Sequence, residues 1–229
     1  VSREKQIKST KGERIVKLFL DTAFIDQIQE VKRWGILDGV TTNPTHVSKT
    51  GANPKELYPQ ICKIVDGPVS LETISLDADG IVAEGKELAR IADNVVVKVP
   101  IVKEGLVAVK QLAAEGIKTN VTVTFSALQA LLAAKVGATY ISPFVGRLDY
   151  VGHDGMDIPA QIRQIYDNYG YETQIIVAAV RHPIHVLRAA LMGADVCTLN
   201  FEVMGMLYDH PLTDIGVAMF LKDWEKVPK

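Results

Sequence analysis

Eight short β-branched runs, at residues 15–20, 39–42, 69–72, 95–99, 119–124, 140–142, 174–178 and 196–199, alternate with longer stretches of helical periodicity. Two of those stretches, 78–91 and 105–115, are amphipathic and long enough to be crossover helices. Strand then helix, repeated, builds a parallel sheet covered by helices. Eight units after Arg14 leave about 27 residues each, close to what a βαβ element needs, and the count favours a closed sheet over an open one. The expected fold is α/β, a (β/α)8 TIM barrel.

A local repeat supports equivalent units. Ala133-Ala134-x-x-Gly137-Ala138 recurs as Ala189-Ala190-x-x-Gly193-Ala194, each just before a strand, with Gly at the left-handed position that ends a helix. No Pro- or Ser-rich linker or low-complexity segment divides residues 15–229, which read as one barrel domain. Within it, 211–224, with Leu212, Ile215, Met219 and Leu221, reads as an additional C-terminal helix packing on the barrel or on a neighbouring subunit. The basic, polar residues 1–14 are set aside as an N-terminal extension, native or added.

With 48% hydrophobic and 23% charged residues the chain is too apolar for disorder, and 229 residues can bury a core without disulfide or metal staples. A net charge of −2 gives no general case for nucleic acid or an anionic membrane, so any phosphate must be held locally. Cys62 and Cys197 lie far apart and match neither a redox nor a zinc spacing. Lys17 and Asp21 interrupt the first apolar stretch, which argues against a secretory leader, and no apolar run approaches the ~18 residues of a membrane helix. The expected location is cytoplasmic. Asn120-Val121-Thr122 formally fits a glycosylation acceptor but falls in a core strand.

Strands of a parallel barrel should be apolar, yet polar residues recur at their C-terminal ends: Asp21, then Thr41, Thr42 and Asn43, then Glu72, Lys98, Asn120 with Thr122, Ser142, and Arg181 beyond the seventh. Active sites of such barrels are built at that rim, and alternation puts Val96 with Lys98, and Asn120 with Thr122, on common faces. Lys98 stands in Val95-Val96-Val97-Lys98-Val99-Pro100, where an ammonium is costly to bury and a neutral amine is not. A neutral amine can attack a ketone to form a Schiff base; the alternative is a structural lysine paired with Asp21 or Glu72. Those two carboxylates are the acid–base candidates, although Asp21-Thr22 before a helical run also fits a cap. Arg147 and Arg181, beyond adjacent strand ends, stand where such a barrel holds phosphate, though either alone fits a surface ion pair. His182-x-x-His185 spans one helical turn but has no third ligand at a recognisable spacing, so no metal is expected. Dinucleotide, P-loop and serine-hydrolase motifs are absent from the sequence.

The chain resembles the transaldolase family, specifically its short bacterial and archaeal members close to fructose-6-phosphate aldolase. The similar blocks are Leu18-Phe19-Leu20-Asp21-Thr22-Ala23, Gly39-Val40-Thr41-Thr42-Asn43-Pro44, Val97-Lys98-Val99-Pro100 with Glu104-Gly105-Leu106, Thr119-Asn120-Val121-Thr122, Ile141-Ser142-Pro143-Phe144-Val145-Gly146-Arg147 and Arg181-His182-Pro183. The resemblance implies that Lys98 is the Schiff-base lysine and Asp21 the general acid–base, with Glu72 and Thr122 holding the catalytic water. It implies that Thr41, Asn43, Asn120 and Ser142 bind the hydroxyls of a dihydroxyacetone unit, and Arg147 and Arg181 the substrate phosphate. It implies sugar phosphates as partners, no cofactor, and a homo-oligomer, pentamer or decamer, whose C-terminal helix reaches a neighbour.

Members that release free dihydroxyacetone carry Tyr at the position of Phe144 and Gln at that of Glu72, so these two residues lean towards transfer to a second aldose phosphate. Fructose-6-phosphate aldolase activity is the alternative, and a barrel that binds sugar phosphates without turnover a third reading. Two residues depart from the family pattern. Ala179 replaces a common Ser, which removes a phosphate donor, and Tyr150 replaces the second Asp of a common Asp-Asp pair.

Overall fold

The computed structural model describes residues 15–228. The expectation for residues 1–14 lies outside them. β1 (Lys17–Asp21), β2 (Gly39–Thr41), β3 (Val69–Glu72), β4 (Val95–Pro100), β5 (Thr119–Thr124), β6 (Tyr140–Pro143), β7 (Gln174–Val177) and β8 (Val196–Leu199) pair in sequence order, all parallel. β8 returns to β1, so the sheet closes into the expected (β/α)8 barrel. β1 starts two residues later than the β-branched pattern suggests. Pairing with β8 begins at Lys17, and Ile15 and Val16 before it have no strand to pair with.

The crossover helices are α1 (Ile25–Arg33), α3 (Pro54–Ile64), α4 (Ala78–Ala89), α5 (Lys103–Ala114), α6 (Ala127–Lys135), α8 (Asp157–Tyr169) and α9 (Pro183–Met192). Short helices α2 (Pro44–Thr50) and α7 (Val145–Asp149) are inserted after β2 and β6, while α10 (Phe201–Met206) and the expected C-terminal helix α11 (Pro211–Trp224) follow β8. The repeated Ala-Ala-x-x-Gly-Ala blocks close α6 and α9 alike. Gly137 and Gly193 have φ 89° and 77°, and the next amides, Ala138 and Ala194, donate back to Ala133 and Ala189. None of the described helices is long and apolar enough to cross a membrane.

The core has two parts, as alternation along barrel strands requires. Leu20, Val97, Val99, Val121, Ile141, Ile175 and Leu199 belong to the large cluster shared with the helices, while Phe19, Val96, Tyr140, Ile176 and Val196 form a separate cluster. Gly39 is explained there: a Cβ on it would stand 2.6 Å from the Phe19 ring and 2.7 Å from the Pro68 carbonyl. Two residues further along β1, β4, β6 and β8, the same face carries Asp21, Lys98, Ser142 and Thr198. The barrel is therefore filled by apolar side chains at one level and polar ones at the next.

Candidate active site

Strand register puts the reactive groups side by side. Asp21 is opposite Thr41, Glu72 opposite Lys98, and Lys98 opposite Asn120. Hydrogen bonds between non-adjacent strands have to cross the barrel interior. The Thr41 and Thr198 hydroxyls are 2.6 Å apart and Asn120 Nδ2 donates to Ser70 Oγ at 3.1 Å, each across an intervening strand, while Ser142 Oγ on the adjacent β6 donates to Asn120 Oδ1 at 2.7 Å. Thr41, Thr198 and Ser142 among them border a cavity of about 420 Å³, lined also by Asp21, Asn43, Glu72, Lys98, Phe144, Arg147 and Arg181.

Lys98 is 5% exposed. Its Nζ lies 3.0 Å from Glu72 Oε2 and donates to the Thr42 carbonyl at 2.9 Å. Pairing with Glu72 makes a buried amine tolerable in an aliphatic strand, and it places a proton acceptor on the nitrogen. Asp21 caps no helix: the N-cap of α1 is Phe24, whose amide is taken by the Thr22 hydroxyl at 3.2 Å. The Asp21 carboxylate instead accepts from Thr41 Oγ1 at 2.8 Å and faces His46 Nε2 at 3.3 Å. Burial by itself would push this carboxyl up. The hydrogen bond from His46, the Lys98 charge and the Thr41 hydroxyl together outweigh burial and hold it below its ordinary range.

Asn43 does two things. Its Oδ1 accepts from the His46 amide at 3.0 Å and so caps α2, which leaves its side-chain NH2 as the donor on the cavity wall. Asn120 and Thr122 are fully buried and are not on that wall. Asn120 ties Ser142 to Ser70, whereas the Thr122 hydroxyl has no hydrogen-bond partner among the described residues. Between Val121 and Thr124 the register with β6 shifts, and within that stretch Val123 has φ 61°. That is strained backbone for a β-branched residue.

Phe144 meets Phe125 edge to face and lies under the Arg147 guanidinium, 5.3 Å from ring centroid to Cζ. Arg181 lies over the Tyr150 ring at 5.7 Å, so at this departure from the expected pattern a ring face supports the guanidinium. Among the described residues neither arginine has a carboxylate partner. Both face the cavity as free forks suited to an oxyanion. Ala179, at φ 55°, lies between them on the wall.

The structure gives the His182/His185 pair a third neighbour, Asp149, too far away in sequence for spacing to reveal. The ring nitrogens of His185 are both engaged, however. Its Nδ1 faces the Arg181 amide at 3.4 Å and its Nε2 lies 2.9 Å from Asp149 Oδ2. An amide can only donate, so the proton of the neutral ring sits on Nε2, the tautomer opposite to one that binds a metal through that nitrogen.

Sequence reasoning missed His46, Thr198, Asn200 and Lys49, all on the cavity wall. Thr198 was within reach, since it shares parity with Val196 on β8. His46 carried no such signal, because its place against Asp21 depends on how α2 folds back over the barrel mouth.

The family model described as Transaldolase/Fructose-6-phosphate aldolase matches residues 18–229. A probable transaldolase of Aquifex aeolicus is 60% identical over 93% of this chain and 99% of its own length. Those of Dictyoglomus turgidum, 58% identical over 93% and 100%, and of Methanococcus maripaludis, 59% over 92% and 98%, are similar to the same extent. On fold, site and likeness over nearly its whole length, the chain belongs to the transaldolase/fructose-6-phosphate aldolase family.

Proposed function

We propose that the protein is a cytoplasmic transaldolase of the pentose phosphate pathway, moving a dihydroxyacetone unit between sugar phosphates through a Schiff base on Lys98. The observation that carries this is a buried amine with one carboxylate, Glu72, on its nitrogen and a second, Asp21, on the same cavity wall. Glu72 takes the ammonium proton, and the neutral amine adds to the ketone of fructose 6-phosphate or sedoheptulose 7-phosphate and loses water. Asp21 removes the C4 hydroxyl proton, the C3–C4 bond breaks towards the iminium, and an aldose phosphate leaves. The enamine then attacks the aldehyde carbon of erythrose 4-phosphate or glyceraldehyde 3-phosphate, Asp21 returns the proton, and water releases the product. Thr41, Asn43 and Ser142 orient the hydroxyls, with Asn120 holding Ser142 from behind the wall, Thr122 assists with the catalytic water from its buried position, and Arg147 with Arg181 binds the phosphate. The iminium serves as electron sink. Phe144 offers no hydroxyl to protonate the enamine, which favours transfer over release.

Glyceraldehyde 3-phosphate release from fructose 6-phosphate tests this, with and without erythrose 4-phosphate, over many turnovers. Release sustained only with the acceptor is expected, and release without it would make the protein an aldolase. Lys98→Ala should abolish both turnover and the sugar adduct trapped by borohydride while the fold persists; continued turnover would overturn the Schiff base. The same reading makes the protein a homo-oligomer, pentamer or decamer, with α11 against a neighbour. In its support, α11 buries none of its residues in its own chain.

A further inference from the structure

The two segments that carry the arginines are locked together by their main chains. Phe144 bridges to Ala178, and the Val145 and Gly146 amides donate to the Ala178 and Ala179 carbonyls at 3.0 and 3.2 Å. A Cβ on Gly146 would stand 2.3 Å from the Ala179 carbonyl and 2.5 Å from Arg181 Cγ, so nothing larger fits between them. These contacts set the start of α7 against the end of β7. They leave open what holds the chain at Arg181, three residues beyond the bridge and just ahead of α9.

A line of hydrogen bonds does that. The Gly155 amide donates to Asp149 Oδ1 at 2.8 Å, His185 Nε2 donates to Asp149 Oδ2 at 2.9 Å, and the Arg181 amide donates to His185 Nδ1 at 3.4 Å. The His185 side chain is 4% exposed, so no solvent replaces these partners. The ionisable groups that act on it are Asp149 on α7, His182 ahead of α9, Arg188 on α9, and Asp154, which pairs with Arg188. Burial, the neighbouring His182 and Arg188 hold the ring below the ordinary histidine range against the pull of Asp149, which keeps it neutral and Nδ1 able to accept.

We propose that Asp149 and His185 form a positioning pair that fixes the main chain at Arg181 and thereby sets the cavity's affinity for a substrate phosphate. The proposal rests on the phosphate role given to Arg181 above. Asp149 dictates the tautomer: only a carboxylate accepts from Gly155 and from His185 at once. In Asp149→Asn the oxygen stays with Gly155, the amide NH2 then faces Nε2, and the ring must move its proton to Nδ1, where it opposes the Arg181 amide.

The test measures kcat and KM for fructose 6-phosphate, the affinity for inorganic phosphate, and the ring-nitrogen NMR shifts of His185. In Asp149→Asn, KM and the phosphate dissociation constant are expected to rise about five- to tenfold, with kcat within about twofold, as loss of one hydrogen bond predicts. The His185 proton should move from Nε2 to Nδ1, a change that a general loss of packing would not produce. His185→Phe, which keeps the ring volume and loses both bonds, should weaken phosphate in the same direction. Unchanged phosphate affinity in both variants, or a fall in kcat at constant KM, would overturn the pair. If the wild type turns over no sugar phosphate but binds inorganic phosphate, and Asp149→Asn weakens that binding, the transaldolase reading fails and the pair stands.

Discussion

In the proposed mechanism Asp21 must be ionised to take a proton from a substrate hydroxyl, and its surroundings favour the ionised form. Burial disfavours the carboxylate; His46, Lys98 and Thr41 favour it and win. A depressed carboxyl is ionised down to lower pH, so the acid limb of kcat/KM, which reports the free enzyme, should lie below the ordinary carboxylate range. His46→Leu removes the largest favourable contribution while leaving Lys98 and Thr41 in place. The acid limb should then move to higher pH with the plateau rate largely kept, measured as a pH profile of fructose 6-phosphate turnover. An unmoved limb would mean that His46 only fills space. The sequence revealed Asp21 and Lys98 because a charge in an apolar strand needs a reason. It did not reveal His46, which reaches its partner through the Asn43 cap and the turn of α2, nor the Asp149 to His185 contact across two helices.

Element by element, the parity of the strands carries most of what could be read in advance. Each strand has period two and one buried interior, so a polar residue two places beyond an inward apolar one must face the barrel mouth. Phe19 with Asp21 and Val96 with Lys98 follow that rule, and the register between strands then sets Glu72 beside Lys98. What parity could not show is where the chain leaves regular geometry: the bulge at Val123, the left-handed Ala179 and the inserted helices α2 and α7 are settled by tertiary contact. Gly39 tests the inner packing. Gly39→Ala places a methyl against Phe19 and the Pro68 carbonyl, and overpacking of that kind typically costs about 1–3 kcal/mol. Thermal or denaturant unfolding should show that loss. A variant as stable as the wild type would mean that the Phe19 ring moves aside freely.

For the molecule as a whole, the unbalanced part is α11. A helix of 14 residues is marginal alone in water and normally persists by burying a face. This one buries no residue, although Leu212, Ile215, Phe220, Leu221 and Trp224 are each more than 60% exposed. Apolar residues exposed all round a helix call for cover on more than one side. The outer faces of α6 and α9 add Leu128, Ile184, Leu187 and Leu191, so one chain shows its neighbours several apolar surfaces. Burying a large apolar side chain stabilises by roughly 1.5–3 kcal/mol while association costs about 4–15 kcal/mol, so a ring needs several of these side chains covered at each contact. If the proposed pentamer or decamer forms, light scattering should give a mass five or ten times that of one chain, and Phe220→Asp with Trp224→Asp should shift it towards the monomer. Circular dichroism of the barrel should survive that shift, and so should turnover, because α11 contributes no residue to the candidate site. A wild-type monomer would leave α11 to another protein; a dissociated variant without activity would mean that a neighbour completes the site.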